Sequence, residues 1–337
     1  MKRIKVKLLS TLTLCCLTFV VAHGIGDAEW KEQRKINLPA KASTLAYSTK
    51  GSLIAVGHPD GRVSIWNVSS GEQVKLLNAH AQEVNSVQFI SQDSLLLTMG
   101  DDNRARLWST SDWSEARAIE GPAFSGGVSP DGRWLAAQAA DQSIWLWDLS
   151  TFTQVEQLTP RGKGGTQNMS FTAEGSYIVT AYSTPLVIDV KTKESVSLIR
   201  TEQTPMKVEQ QGNQVSVALG PLTEDNAPTH RVIPSRSGSL LALGRGWYGQ
   251  APFIEVWDLA LKKRIGRYKP KDSGTLTSFS FDSSLLAVEG DEKVTIWKIS
   301  NGKQVGSVKG GGIMQFSPKS MELAVTDGST LIVYAPK

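Results

Sequence analysis

The chain has 337 residues, 40% of them hydrophobic and 20% charged, with ten tryptophans and two cysteines. Both cysteines, Cys15 and Cys16, lie in the first 24 residues, so the remainder offers no disulfide, no thiolate metal site and no cysteine nucleophile. Four of the 36 cations lie there too, leaving 32 Lys and Arg against 32 Asp and Glu, a balance without the cationic excess of a nucleic-acid binder.

Residues 1–24 read as a secretory signal peptide: Lys2, Arg3, Lys5 and Lys7 precede an apolar run from Leu8 to Ala22. That run is short for a helix crossing a hydrocarbon core of about 30 Å. Cleavage after Gly24 puts Ala22 and Gly24 at the two small-residue positions; cleavage after Ala28 and retention as an anchor are the alternatives. Lipidation is less favoured, because Leu14 or Cys15 stands where a lipoprotein signal carries a small residue. The expected location is the periplasm or the exterior, where N-x-S sites at Asn67 and Asn168 matter only in a glycosylating host.

Over the rest of the chain an alternating run closing on an aromatic recurs. The anchors are Trp66, Trp108, Trp147, Ile188, Trp257, Trp297 and Tyr334, at intervals of 42, 39, 41, 69, 40 and 37. Each is preceded by a second copied run with a polar turn, including YSTKGSLIAV at 47, VSPDGRWLAA at 128 and FSPKSMELAV at 316. The β-branched and aromatic content of both runs predicts short strands joined by tight turns.

The VSPDG turn at 128–132, the Asp six residues before the anchor, and the endings WDLS at 147 and WDLA at 257 resemble the WD40 repeat family. The resemblance covers about residues 29–337 and implies an all-β fold: a seven-bladed β-propeller of four-stranded antiparallel blades. The last copy has a third strand but no room for a fourth, so WKEQRKINL at 30–38 is expected to pair with it and close the ring. The domain boundaries are 1–24 for the leader and 25–337 for the propeller, with an extra hairpin about 200–231.

The family's buried hydrogen-bond tetrad is present in the second copy as His80, Thr98, Asp102 and Trp108. The same residues resemble a nucleophile triad, but Asp60, Asp141 and Asp291 recur at the Asp position without His or hydroxyl partners, as turn residues do. Gly244–Gly249 spells GxGxxG, yet a strand pattern follows where dinucleotide binding needs a helix N-terminus. His58, His80 and His230 lie in different copies, and the recurring aspartates are spread around a ring, so no metal and no cofactor is expected.

The repeat breaks once, between Ile188 and Trp257. Met206 to Leu219 reads as an added hairpin, and the fifth copy carries a stretched turn, GRGWYGQAPF at 244–253. With PRGKGGTQN at 160–168, the family resemblance puts these departures on one face. Arg161, Lys163, Arg231, Arg245, Trp247, Tyr248 and Gln250 are the expected partner contacts, Trp247 packing on the hairpin being the alternative. The function expected is an exported, non-catalytic protein–protein interaction scaffold; the sequence does not name its protein partner, a cell-envelope complex being one option. The alternative is a ligand-binding or enzymatic propeller using the central channel.

Overall fold

The structure is a computed structural model that describes residues 29–119, 125–139, 141–158, 168–172, 175–181, 186–192, 195–199, 207–211, 214–218, 229–245, 253–258, 261, 263–269 and 277–337. The leader and its cleavage sites lie outside the described residues.

Seven sheets follow one another along the chain. Blades 1, 2, 3, 5 and 6 occupy residues 44–78, 84–119, 125–157, 229–268 and 277–309, each with four antiparallel strands in sequence order. Blade 7 joins three strands from 314–336 to Trp30–Asn37, which lies antiparallel to Thr330–Pro336. The innermost strands of successive blades touch around a complete circle, blade 7 meeting blade 1.

Hydrophobicity is graded along each blade. Second strands such as LLLTMG (Leu95–Gly100) and LAVTD (Leu323–Asp327) are buried almost throughout, because neighbouring blades cover both of their faces. Outer strands such as TQVEQ (Thr153–Gln157) are exposed at every position. Hydrophobic clusters fill the joints 7–1, 1–2, 2–3, 3–4, 5–6 and 6–7.

The copied turn before each second strand has a specific use for its hydroxyl. Ser48, Ser129, Thr172, Ser235 and Ser280 accept the backbone N–H that opens the next strand, from Leu53, Trp134, Tyr177, Leu240 and Leu285, at 2.9–3.2 Å. Blade 2 differs: Ser91, Gln92 and Asp93 all have positive φ (51°, 57° and 70°), and the Asp93 carboxylate accepts the N–H groups of Thr49 (2.6 Å) and Lys50 (3.1 Å) in blade 1. A strained turn is held by its neighbour.

The residue before this turn is aromatic in five blades: Tyr47, Phe89, Phe171, Phe279 and Phe316. Tyr47 is 6% exposed and its hydroxyl has no hydrogen-bond partner among the described residues. Tyr47→Phe is therefore expected to stabilise the protein by about 1 kcal/mol, read as a higher midpoint in urea. A lower midpoint would mean that the hydroxyl is satisfied.

Each anchor aromatic also marks a fault in the sheet. The pairing of third and outer strands shifts register at Ile65/Trp66, Leu107/Trp108, Leu146/Trp147, Val256/Trp257 and Ile296/Trp297, and blade 7 has the same shift between Glu32 and Arg34. In blade 4, whose anchor is Ile188, residues 186–188 pair with 195–197 without a shift. Here the sheet continues: Gln214–Ala218 lies parallel to the outer strand Ser195–Ile199, and Lys207–Gln211 returns antiparallel, making six strands. The added segment is thus a hairpin docked onto blade 4 as two further strands.

Candidate functional site

Blade 2 brings His80, Thr98, Asp102 and Trp108 together. His80 Nδ1 lies 2.8 Å from Asp102 Oδ1 and Nε2 lies 2.9 Å from Thr98 Oγ1, while Trp108 Nε1–H donates to the same Oγ1 at 3.0 Å. Nδ1 lies between the Asp102 carboxylate, which only accepts, and Arg106 Nη1 at 2.9 Å, which only donates. With the carboxylate as its partner Nδ1 carries the proton, the Thr98 hydroxyl donates to Nε2, and Arg106 is held by the carboxylate and not by the ring. Arg106 donates to Asp102 Oδ2 at 3.1 Å. Thr98 is fully buried and its oxygen already receives the indole N–H, so no substrate carbonyl reaches it. The triad-like geometry is a structural relay.

Blade 1 holds a second relay that the Asp pattern does not disclose. His58 Nδ1 lies 3.0 Å from the Lys41 carbonyl, Nε2 lies 2.8 Å from Ser64 Oγ, and Trp66 Nε1 donates to Ser64 at 2.8 Å. The wiring matches blade 2, with a backbone carbonyl in place of the aspartate. Asp60 instead binds Arg62 at 2.5 Å. The expectation that the remaining aspartates lack hydroxyl partners is corrected in blade 3, where Asp141 accepts Ser143 Oγ at 2.5 Å. Ser143 in turn receives the Trp145 indole at 2.8 Å. The oxygen sits two residues before the indole on one strand face, the period-two arrangement found again for Thr295 and Trp297 at 2.9 Å.

These relays make stability acid-sensitive. Burial holds His58 and His80 below the ordinary histidine value of 6.5, outweighing their acceptors. A depressed folded-state value means that each contributes stability above about pH 6.5, lost as pH falls through the folded value. For Asp102, burial pushes upward, but hydrogen bonds from His80 and Arg106 win and hold it below 3.8, so its contribution disappears only at stronger acid. Melting temperature is expected to fall between pH 7.5 and pH 5, and His58→Gln with His80→Gln to flatten that fall. An unchanged slope in the double variant would place the titrating groups elsewhere.

Of the expected partner contacts, Arg161, Lys163, Trp247, Tyr248 and Gln250 lie outside the described residues. Arg231 stands half-buried on the first strand of blade 5, and burial depresses its guanidinium. Arg245 requires a correction: it is 5% exposed, so it is no surface contact. It ends the strand Leu240–Arg245 on the same side as Leu241 and Leu243, and its guanidinium lies 3.6 Å from Glu255 and 5.6 Å from the Phe253 ring centre.

Glu255 centres a node that the sequence reading missed. Fully buried, it meets Arg264 at 2.8 Å, Arg267 at 3.4 Å and Arg245 at 3.6 Å, and accepts the Trp257 indole at 3.3 Å. Arg267 also lies 4.2 Å above Phe253. The anchors pack toward the preceding blade, as Trp66 does in the 7–1 joint, so Glu255, two residues before Trp257, faces blade 4. An acid at the position that carries Ser64 or Thr295 in other blades is the one available clue.

The innermost strands enclose a cavity of about 440 Å³. Its wall includes Ala46, Gln88, Gly127, Ser170, Ile233, Ser278 and Gln315, with Arg236 and Phe281 exposed at the mouth. Several of these side chains bind the next blade: Gln88 accepts Val128 N–H (3.0 Å), Ser278 accepts Phe316 N–H (2.9 Å) and Gln315 accepts Tyr47 N–H (2.8 Å). Among the described residues no cluster of His, Cys, Asp and Glu is placed to hold a metal ion.

A closed ring of seven radial sheets is a seven-bladed β-propeller. A family model for the WD domain, G-beta repeat, matches residues 123–148, and one for the anaphase-promoting complex subunit 4 WD40 domain matches residues 28–92. The chain belongs to the WD40 repeat family. It is 25% identical over 292 residues to the pre-rRNA-processing protein IPI3 of Yarrowia lipolytica, covering 82% of this chain and 56% of that protein. To a DDB1- and CUL4-associated factor 11 homolog of Caenorhabditis briggsae it is 27% identical over 135 residues, covering 37% of this chain and 24% of that protein. The chain therefore spans only part of these relatives. The solved β-propeller domain of Cps50 (Swd1) from Myceliophteria thermophila superposes with a TM-score of 0.72 at 16% identity, covering 91% of this chain and 99% of that one.

Proposed function

We propose that the protein is an exported, non-catalytic scaffold that binds a protein partner of the cell envelope through the face around blades 4 and 5. The observation that carries this reading is the one large departure from the repeat, the pair of strands added to blade 4. Residues elsewhere in the repeat are accounted for by folding: the His, Asp and Trp side chains close buried relays. Relatives named as processing and associated factors support a scaffold class. The cationic and apolar leader supports export to the periplasm or beyond. With Arg245 buried, the contacts proposed are Arg161, Lys163, Arg231, Trp247, Tyr248 and Gln250.

Affinity capture from the native cell envelope, with wild type beside a variant in which residues 206–219 are replaced by a short Gly-Ser linker, tests the face. Circular dichroism must show both folded. A partner lost from the folded variant supports the face, and a partner retained by both rejects it. The second reading, a ligand-binding or enzymatic channel, draws on the wall of Gln88, Ser170, Ser278 and Gln315 below an exposed Arg236. Mass spectrometry of the purified protein for a retained small molecule tests it.

A further inference from the structure

The outer strand of a propeller blade is a sheet edge, with backbone N–H and C=O groups ready to pair with another chain. Six blades blunt that edge with the register shift at the anchor, which bends the strand and increases its twist. Blade 4 has no such shift, and its pairing stays regular through all five residues of its last strand, Lys207–Gln211. No strand among the described residues pairs with the far side of Lys207–Gln211. Among the described residues this is the one blade whose outer pairings carry no register shift.

We propose that this edge pairs antiparallel with the same edge of a second copy of the chain, joining two six-stranded sheets into one. The occupant is identified by register. A two-fold axis normal to a sheet sets residues of equal parity opposite each other, so such a pair must centre on one residue. Centring on Lys207 sets lysine opposite lysine, and centring on Glu209 sets glutamate opposite glutamate. Centring on Val208 sets Lys207 opposite the second copy's Glu209, twice over, which is the favoured arrangement of charges across strands.

The other edges do not match: Gln73–Asn78 and Thr153–Gln157 carry a single charge each, and Trp30–Asn37 has opposite charges at Glu32 and Arg34 but a register shift between those two residues. The outer strands KRIGRY (Lys263–Tyr268) and KQVGSVK (Lys303–Lys309) carry only cations, and the like charges repel a second copy. EARAI (Glu115–Ile119) repeats the alternation of opposite charges, but it is kinked at Leu107/Trp108. Its charges are also engaged, Glu115 with Arg106 at 3.8 Å and Arg117 over the Phe152 ring at 4.4 Å.

The test uses the mature chain and its charge variants in sedimentation velocity from 1 to about 100 µM. Wild type is expected to show a concentration-dependent dimer. Lys207→Glu and Glu209→Lys, each alone, are expected to weaken it about tenfold or more, since both cross-strand pairs become repulsive. Mixing the two variants is expected to restore dimers, because each then meets its opposite, and the double exchange in one chain restores the homodimer. Melting curves establish that every variant is folded. A wild type that stays monomeric throughout overturns the proposal, as does a dimer indifferent to both single substitutions. The result is independent of the capture experiment above, because a scaffold binding its partner as a monomer passes that experiment and fails this one.

Discussion

A chain lacking Trp30–Asn37 is expected to lose its cooperative unfolding transition. That strand is the fourth of blade 7, and its pairing with Thr330–Pro336 links residues some 300 positions apart. Without it, Thr330–Pro336 becomes an open edge and two joints lose packing at once. Ile36, 3% exposed, leaves the cluster of the 7–1 joint, and Trp30 leaves its edge-on contact with Phe316 at 6.1 Å in the 6–7 joint. The backbone bond from Lys337 N–H to the Glu29 carbonyl and the Lys337–Glu29 ion pair disappear too. Unlike a core truncation, this deletion removes the closure itself, and each blade is stable only through its neighbours. Thermal melts by circular dichroism should show a broad, early loss of signal, and a synthetic peptide of residues 29–38 should restore part of the transition. An unchanged melt would mean that the ring closes without this strand.

The second large effect is expected at the 4–5 joint. Glu255→Ala leaves Arg245, Arg264 and Arg267 facing one another around a buried site. Removing one member of a buried ionic cluster costs about 3–5 kcal/mol, because the remaining charges stay desolvated. For a domain of this size the melting temperature should fall on the order of 10 °C. Glu255→Gln preserves shape and hydrogen-bonding atoms but not charge, so it should lie close to Glu255→Ala if charge dominates and close to wild type if packing dominates. Arg264, with 37% of its side chain exposed, is the member whose loss should matter least, since solvent already screens it.

The number and order of blades are legible in the sequence because each blade needs the same few things: a buried second strand, a turn hydroxyl and an anchor. Even Ile188 is readable as an anchor, since VIDV keeps the alternation after the aromatic is gone. What that substitution does was not readable. The register shift accompanies Trp and Tyr anchors, and its absence at Ile188 depends on pairing that no local pattern reports. Arg245 was misplaced for a related reason. Between two glycines it reads as a loop residue, yet the strand runs through it, and alternation from Leu241 and Leu243 sets it on the inward side. The relay through His58 was hidden because its acceptor is the Lys41 carbonyl, and a backbone oxygen leaves no trace in the residue pattern.

The inner-wall hydrogen bonds also bear on how the ring breathes. Ser278 ties blade 6 to 7, Gln315 ties 7 to 1 and Gln88 ties 2 to 3. Blades 6, 7 and 1 thus form an unbroken run of tied joints, and that run contains the seam where the first and last strands meet. The joint that chain entropy would make the weakest carries ties on both of its flanks. The amide protons of Tyr47 and Phe316 should therefore be among the slowest on the inner wall to exchange with deuterium.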